Sequence, residues 1–297
     1  MSTSEYSVEI ADSRVLETEI KHLRTSVFVI EQGVPPDIEW DGLDEQCKHI
    51  AVRVQGDCIA TGRLMPSGKL GRIAVDVAFR GRGFGKIVTE ALCELAANEG
   101  LLQVYLHAQI QAKHLYLACG FSETGSTFQE ANIDHIKMVK SLNPSDTTIT
   151  QSSWLANKLT LIDGMRRSGF ILMEHLHDEF SLYPDLVPRI MPILRSSREA
   201  KLHLVTCDIQ AIIERQSPFI DWLQRVDSRV SIRVASPALM QRLGDCIIVD
   251  GFYGMNRTSK GFRLFRGDSP TYREIRSLAL GVWENSTPDP RIKRLHI

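Results

Sequence analysis

No apolar run in this sequence of 297 residues is long enough to cross a membrane. The first residues, MSTSEYSVEIADSR, also lack a basic segment followed by an apolar one, so no secretory signal is visible. The six cysteines are scattered and form no C-x-x-C pair, which argues against a metal site and favours reduced thiols. We therefore expect a cytoplasmic protein with no bound metal and no membrane partner.

The chain has little net charge, −1, but its two parts differ in charge. Residues 1–149 contain 14 Lys and Arg against 20 Asp and Glu, whereas residues 150–297 contain 21 against 16, and 17 of these 21 are Arg. Nucleic-acid-binding proteins show a denser basic stripe than this. The positive excess of residues 150–297 is explained by attraction between the two parts, by ion pairing within each part, or by a phosphate-bearing ligand at the Arg-rich part.

The length of the chain predicts two domains. A polar segment, SLNPSDTTITQSS, separates two regions that each alternate apolar strands with helical patterns. We predict an α/β domain over residues 1–142, a linker over 143–153 and a second, smaller α/β domain over 154–297. No internal repeat relates the two domains.

Three closely spaced glycines, Gly81, Gly83 and Gly85, follow an apolar strand and precede a helical pattern. A bare backbone at a helix N-terminus suits a phosphate group. A Walker loop is excluded because Ile87 stands after Gly85-Lys86, where that motif needs a hydroxyl. A dinucleotide-binding turn fits poorly, because the spacing is G-x-G-x-G and no acidic residue ends the next strand. A tight strand-to-helix turn without a ligand is the plain alternative.

The motif R-G-x-G-x-G at residues 80–85 resembles the acyl-CoA signature of the GNAT N-acetyltransferases. A second motif, A-x-x-L-Y-x-x-x-G-F at residues 112–121, is similar to the helix that this family places after the next strand. Residues 23–52 contain L-R-x-x-V-F-V-x-E-Q and then D-x-x-D, which resemble the ElaA-like subgroup, as do ATGRLMP and FQEANIDHIKM. The resemblance covers roughly residues 14–140.

This resemblance implies the GNAT fold, a mixed α/β sheet flanked by helices. It also implies transfer of an acetyl group from acetyl-CoA, a co-substrate, to a primary amine of a small molecule or a peptide. The pyrophosphate would be bound by Arg80, Gly81, Arg82, Gly83, Phe84, Gly85 and Lys86. The pantetheine and the thioester would lie along Ile73, Ala74 and Val75. Gln109 stands where the family commonly has Asn and is a further predicted contact.

The resemblance also implies the catalytic groups. Tyr116 is the predicted general acid that protonates the departing CoA thiolate. A carboxylate or a histidine can accept the proton of the amine, directly or through water. The candidate bases are Glu31, His135, His49 and Glu130. Asp41 and Asp44 either suit a cationic substrate or hold the loop between them.

The second region loosely resembles a phospholipase D-like domain through DCIIVDGFYGMNRTSKGFRLF and SLALGVWENSTPDPRIKRL. The catalytic signature of that family is H-x-K-x-x-x-x-D. Counting back from Asp250, Leu243 takes the place of the histidine and Asp245 that of the lysine. The domain is therefore predicted to be catalytically inactive, with a structural or homodimerising role as the plain alternative. For the whole chain, the alternative to an enzyme is a non-catalytic acyl-CoA sensor that acts through this domain.

Overall fold

The computed structural model comprises two compact units, Met1–Asn143 and Pro144–Ile297. None of the helices in the described part of the chain is long and apolar enough to span a membrane. The residues that the structure describes are 6–131, 133–176, 186–196, 199–214, 229–241, 243–250 and 252–289.

The first unit alternates strands and helices around two small sheets. Its first helix, α1, is continuous over four pieces, of which the second and the fourth are π-helical. In chain order the elements are β1 (Tyr6–Ile10), α1 (Ser13–Val15, Leu16–Ile20, Lys21–Arg24 and Thr25–Glu31), α2 (Pro36–Glu39), β2 (Lys48–Val54), β3 (Asp57–Leu64), β4 (Leu70–Val75), α3 (Phe84–Asn98), β5 (Gln103–Gln109), α4 (Lys113–Ala118), β6 (Ser122–Glu130) and β7 (Ile133–Ser141).

The two sheets of the first unit meet at strands β4 and β5. One sheet has the order β1-β2-β3-β4 and the other β5-β7-β6, and both are antiparallel. A single parallel bridge joins Lys69 to Tyr105, and the Tyr105 N–H donates to the carbonyl of Gly68 at 3.0 Å. Past this bridge the two strands form no further pairs among the described residues, so a gap opens toward Val75 and Gln109.

A β-bulge distorts strand β4 beside this gap. Two residues of β4, Arg72 and Ile73, lie opposite one residue of β3, Gly62, because the register shifts between Thr61 and Arg63. Arg72 has a positive φ of 51°, which few non-glycine residues adopt. A bulge bends its strand and removes backbone groups from the ladder. The edge of β4 that faces the gap is therefore displaced from a regular strand.

Helix α3 covers the first sheet and fixes the position of the glycine turn. Val88, Leu92 and Ala96 recur at helical spacing and are fully buried. Burial of a Val or Leu side chain contributes about 1.5–3 kcal/mol, so this face holds the helix on the sheet. The helix begins directly after Gly83, and the chain turns away again at Gly100, where φ is 71°.

Over the residues that the structure describes, the second unit is built on a seven-stranded mixed sheet with the order β11-β10-β9-β12-β13-β14-β8. Strands β9, β10 and β11 run parallel, and the other pairs are antiparallel. The elements are β8 (Thr147–Ile149), α5 (Gln151–Gly164), β9 (Ser168–Met173), α6 (Leu186–Ser196), β10 (Lys201–Thr206), α7 (Ile209–Glu214), β11 (Val230–Val234), α8 (Pro237–Met240), β12 (Asp245–Val249), β13 (Tyr253–Thr258), β14 (Gly261–Arg266) and α9 (Pro270–Asn285).

The segment predicted as a linker, 143–153, contains regular structure. Thr147–Ile149 forms the edge strand β8, which pairs with β14, and Thr150 caps α5 by accepting the N–H of Ser153 at 3.1 Å. Polar composition suggested a linker, but threonine is a good strand former as well as an N-cap residue. The chain therefore enters the second sheet soon after it leaves the first unit.

Candidate active site of the first unit

A cavity of about 630 Å³ lies in the gap between β4 and β5. It brings together most of the residues that the sequence singles out. Those that line it are Ile73, Ala74, Val75, Arg80, Gly81, Gly83, Phe84, Gly85, Lys86, Gln109, Tyr116, Glu130 and His135. Glu31, Arg82 and His49 are not among the lining residues.

The end of β4 offers backbone groups to the cavity. Asp76 donates its N–H to the carbonyl of Ile59 in β3, at 2.8 Å. Because backbone groups of successive residues in a strand face opposite edges, the N–H and C=O of Val75 face away from β3. The carbonyl of Val75 accepts a hydrogen bond from Arg80 Nε at 3.1 Å. The Val75 N–H is thus directed to the cavity side of the strand.

The glycine turn leaves open space over a set of backbone donors. Gly81 and Gly83 have φ values of 73° and 89°, and no atom lies within 4 Å of the place where a Cβ would stand. The amides of Lys86 and Ile87 donate to the Gly83 carbonyl, whereas in the described residues no group accepts from the amides of 81–85. Unpaired N–H groups at a helix N-terminus bind anions. Gly85 closes the turn against α4, since a Cβ there would lie 3.2 Å from Leu115.

Arg80 and Glu31 are paired beside this turn. The two terminal nitrogens of Arg80 donate to the two carboxylate oxygens of Glu31, each at 2.6 Å. The hydrogen bonds from Arg80 lower the pKa of Glu31, and this outweighs the opposing effect of its burial. A lowered pKa makes a carboxylate a weaker base. This geometry favours Glu31 as the group that positions Arg80 over its predicted role as general base.

Arg82, between Gly81 and Gly83, packs on an aromatic ring. Its guanidinium carbon stands 5.2 Å from the ring centre of Phe79. A cation over an aromatic face is attracted to the ring and is held near it. Arg82 is therefore oriented by Phe79, outside the wall of the cavity.

Tyr116 reaches the cavity from helix α4 and packs edge-on against Phe121, with ring centres 6.1 Å apart. Burial raises the pKa of Tyr116 to about 12, and the Cys119 thiol acts in the same direction. The phenol therefore stays protonated at neutral pH. It can donate a proton but holds no negative charge that would make it a base.

His135 is a buried residue of β7 that lines the cavity. Its Nδ1 lies 2.8 Å from the carbonyl of Ile133, so in the neutral ring Nδ1 donates its hydrogen and Nε2 keeps a lone pair. The ring of Phe128 stacks on His135 with an interplanar angle of 27°. His135 is therefore held in one tautomer, and its acceptor nitrogen Nε2 has no hydrogen-bond partner among the residues that the structure describes.

His107 is a site residue that the sequence reasoning missed. It lies on β5 with its Nδ1 2.8 Å from a carboxylate oxygen of Glu130, and both line the cavity. Burial acts to raise the pKa of Glu130, but the hydrogen bond from His107 and the charge of Lys69 outweigh it and lower this pKa. The strand QVYLHAQ buries every second residue, and this alternation places His107 on the same face as Gln109. That pattern could have identified it.

Asp41 and Asp44 hold their loop and do not line the cavity. Arg63 donates to Asp41 at 2.7 and 2.8 Å and to Asp44 at 2.7 Å, and Arg24 donates to both oxygens of Asp44 at 3.0 Å. Both arginines are buried. His49 belongs to the same cluster, with Nε2 3.1 Å from the Asp44 carbonyl, and burial lowers its pKa. The structure therefore supports the prediction that these acidic residues hold their loop over the prediction that they bind a cationic substrate.

Comparisons with known proteins find relatives of the first unit. The family model of the acetyltransferase (GNAT) domain matches residues 20–142. The chain is 35% identical over 131 residues to uncharacterized protein YyaT of Bacillus subtilis (strain 168), covering 42% of this chain and 88% of that protein. It is 36% identical over 123 residues to uncharacterized N-acetyltransferase YjcF of the same strain, covering 40% and 88%. The crystal structure of Escherichia coli ElaA aligns with a TM-score of 0.41 and 27% identity, covering 46% of this chain and 99% of ElaA.

The family model and the N-acetyltransferase relative define the class of protein, an acyltransferase, and the structure itself has an α/β architecture. The chain belongs to the GNAT acetyltransferase family, and the predicted fold and enzyme class are confirmed. Over residues 150–295 it matches a domain of unknown function, DUF7931. No group of three or more His, Cys, Asp and Glu side chains in the described ranges is arranged to hold a metal ion.

The phospholipase D-like resemblance of the second unit finds no support in these comparisons. In the structure, Asp250 accepts hydrogen bonds from the backbone N–H groups of Arg167 at 2.9 Å and of Ser168 at 2.5 Å. Asp245 is paired with Arg257, whose Nε lies 2.9 Å from the carboxylate. The one signature residue that the sequence retains, Asp250, thus anchors the turn before β9.

Proposed function

We propose that the first unit transfers an acetyl group from acetyl-CoA to a primary amine of a small molecule or a peptide. The observation that carries this proposal is the arrangement of one cavity. The acceptor-free amides of 81–85 lie at the glycine turn, and Tyr116 and His135 line the same space. An anion-binding turn and two proton-transfer groups in one cavity suit a thioester donor with a pyrophosphate.

The residues of the turn fit a coenzyme A pyrophosphate. Open space over Gly81 and Gly83 leaves room for the phosphate oxygens, and basic side chains flank the amides. The proposed contacts are Arg80, Gly81, Arg82, Gly83, Phe84, Gly85 and Lys86. The backbone of Ile73, Ala74 and Val75 would bind the pantetheine and orient the thioester carbonyl, with Gln109 on the opposite strand. Backbone donors aimed at a developing oxyanion are most effective where water is excluded.

The acid and the base have separate positions in the proposed reaction. Acetyl-CoA supplies an activated thioester. The amine nitrogen forms a bond to the acetyl carbon, and the bond from that carbon to sulfur breaks. Nε2 of His135 accepts the proton lost by the amine, and the Tyr116 hydroxyl donates its proton to the departing thiolate. Glu31 holds Arg80 in place in this scheme, and no covalent enzyme intermediate is needed.

Release of free CoA thiol over a panel of amines and peptides tests this function. We expect thiol release with at least one primary amine. Tight binding of acetyl-CoA without thiol release on any acceptor would instead support the acyl-CoA sensor.

Gly83→Val tests the pyrophosphate assignment separately. The valine side chain would fill the space over the amides, so acetyl-CoA binding should be abolished while circular dichroism stays unchanged. Gly56→Val is the matched control, because Gly56 has a similar φ of 97° and equally open surroundings outside the cavity. Equal loss of binding in both variants would contradict the assignment.

Other finer expectations also stay predictions. They are kinship with the ElaA-like subgroup, a cytoplasmic location, a homodimer and a phosphate-bearing ligand at the Arg-rich second unit. A cavity of the second unit is the candidate site for this phosphate-bearing ligand.

A further inference from the structure

The second unit contains a cavity of about 850 Å³ with an arginine-rich wall. Arg166 and Arg167 reach it from the turn between α5 and β9, and Arg273 and Arg276 reach it from α9. Residues three apart on a helix share a face, so the two arginines of α9 stand side by side. Phe252, in the turn between β12 and β13, completes this part of the wall.

Helix α9 presents its arginines from a well-fixed position. Ser269 caps the helix by accepting the N–H of Tyr272 at 3.0 Å, and Pro270 occupies the first turn. On the opposite face, Ile275 and Ala279 are buried in the core of the unit. The exposed face of α9 is therefore held toward the cavity by packing on its other side.

The positive charge of this cavity is not balanced locally. Asp250 is the one carboxylate among the described lining residues, and its oxygens accept the backbone N–H groups of 166–168. Arg166 donates to the carbonyls of Asp163 and Met165, both at 2.9 Å. In the described ranges, Arg167 and Arg276 have no acidic partner.

This arrangement selects for a particular kind of anion. Four arginines and a single carboxylate line the described wall, and guanidinium groups bind phosphate oxygens in two-point contacts. An anion with more than one negative charge, such as a phosphate monoester, fits this balance.

The same wall offers a surface for a flat apolar group. The side chain of Phe252 is 69% exposed, and Leu280 and Ile248 line the cavity beside the arginines. An exposed aromatic ring can stack on a planar partner. The volume far exceeds what a bare phosphate ion needs and lies in the usual range of small-molecule sites. The wall therefore combines the recognition of a phosphate with that of a ring.

We propose that this cavity binds a nucleoside monophosphate, with the phosphate on Arg167, Arg273 and Arg276 and the base stacked on Phe252. The described lining residues include no histidine, cysteine or lysine, and Asp250 is engaged by backbone amides. The hydroxyl groups of Ser168, Tyr272 and Ser277 also line the cavity, and the assignment is for binding of this ligand. This site lies beyond the acetyl transfer of the first unit and does not depend on it.

Calorimetric titration of the full chain with AMP tests the proposal. The titration is run without coenzyme A on the wild type and on Gly83→Val, so that AMP bound at the glycine turn is recognised by its loss in the variant and AMP bound in the second unit by its persistence. We expect AMP to bind at least about tenfold more tightly than inorganic phosphate or adenosine, because only AMP uses both parts of the wall. Arg276→Gln should weaken AMP binding by about tenfold or more, since it removes charge-assisted hydrogen bonds. Arg263→Gln, an exposed arginine of β14 that does not line the cavity, should leave it unchanged.

A second variant separates the contribution of the Phe252 ring to AMP binding from that of the arginines. Phe252→Ala should weaken AMP binding and leave the affinity for inorganic phosphate unchanged. Thermal unfolding checks that each variant is folded, and Arg276 is an exposed residue whose replacement should not disturb the core. The proposal is overturned if AMP does not bind below about 1 mM, or if Arg276→Gln and Arg263→Gln behave alike. Tighter binding of a single-stranded oligonucleotide than of AMP would overturn it in favour of a nucleic-acid surface.

Discussion

Arg80 and Glu31 form a two-point ion pair, with each terminal guanidinium nitrogen 2.6 Å from a different carboxylate oxygen. Nε of Arg80 donates to the carbonyl of Val75 at 3.1 Å. Glu31 is the last residue of α1 and Val75 is the last residue of β4. Arg80 therefore joins the glycine turn to the C-terminal ends of α1 and β4.

Glu31→Gln distinguishes a positioning role from a catalytic base. Because the pair is exposed, we expect the KM for acetyl-CoA to rise only about three- to fivefold, with little change in kcat. Steady-state kinetics of thiol release measure both constants. Glu17→Gln, which removes another exposed carboxylate of α1, is the matched control and should change neither. A fall in kcat of about 10²-fold with an unchanged KM would restore Glu31 as the base.

Tyr116→Phe should lower kcat by about 10²-fold and leave acetyl-CoA affinity nearly unchanged, because it removes the proton donor and keeps the ring. Tyr105→Phe is the matched control, since Tyr105 is a half-buried tyrosine of β5 that does not line the cavity. Single-turnover rates and calorimetric titration with acetyl-CoA give the two quantities. An unchanged kcat in Tyr116→Phe would remove this residue from the mechanism.

The pH profile gives an independent check on Tyr116. The acid must be protonated to act, and burial raises its pKa to about 12. Activity that depends on it should therefore persist through about pH 10, where an unperturbed tyrosine is half ionised. A rate that falls by half near pH 10 in the wild type, and not in Tyr116→Phe, would show that the phenol titrates normally.

Local motifs identified much of the candidate site from the sequence. Gly81, Gly83 and Tyr116 lie in short patterns whose spacing reflects one turn and one helix, so no long-range pairing is needed to recognise them. His107 and Glu130 differ, because they meet only through the pairing of β5 and β6 with β7. The spacing of residues along the chain does not show which strands are neighbours.

The same limit applies to the ion pairs of the first unit. Glu31 lies 49 positions before its partner Arg80, and nothing in either local motif indicates that the two side chains meet. The sequence left both alternatives open for Asp41 and Asp44, a cationic substrate or a structural role, because the arginines that neutralise them come from other elements. Charged residues in a sequence predict a binding surface only where it is known which oppositely charged side chains pair with them in the fold.

His135→Gln and His49→Gln form a matched pair of buried histidines. His135 lines the cavity with an acceptor nitrogen, so its replacement should lower kcat by about 10²-fold. His49 lies in the arginine–aspartate cluster outside the cavity, so its replacement should lower the unfolding temperature and leave kcat unchanged. Kinetics and thermal unfolding of both variants separate the two effects. Equal kcat in the two variants would eliminate His135 as the base.

Asp41→Asn tests the cluster that supports the wall of the site. The hydrogen bonds from Arg63 hold the pKa of Asp41 well below its ordinary value, and burial opposes this only in part. A carboxylate whose pKa is lowered by folding stabilises the protein above its ordinary pKa, about 3.9, and this stabilisation is lost as the pH falls through the lowered value.

The free energy of unfolding of Asp41→Asn should therefore be lower than that of the wild type by about 1–3 kcal/mol at pH 7, because Arg63 is buried and loses one of its acidic partners. The difference from the wild type should narrow as the pH falls below about 4, where Asp41 begins to bind a proton in the unfolded chain. Urea unfolding at a series of pH values measures this difference in the free energy of unfolding. Asp37→Asn, which replaces an exposed acidic residue of α2, is the control. A difference that stays constant from pH 7 to the acid limit would mean that the charge of Asp41 does not stabilise the fold.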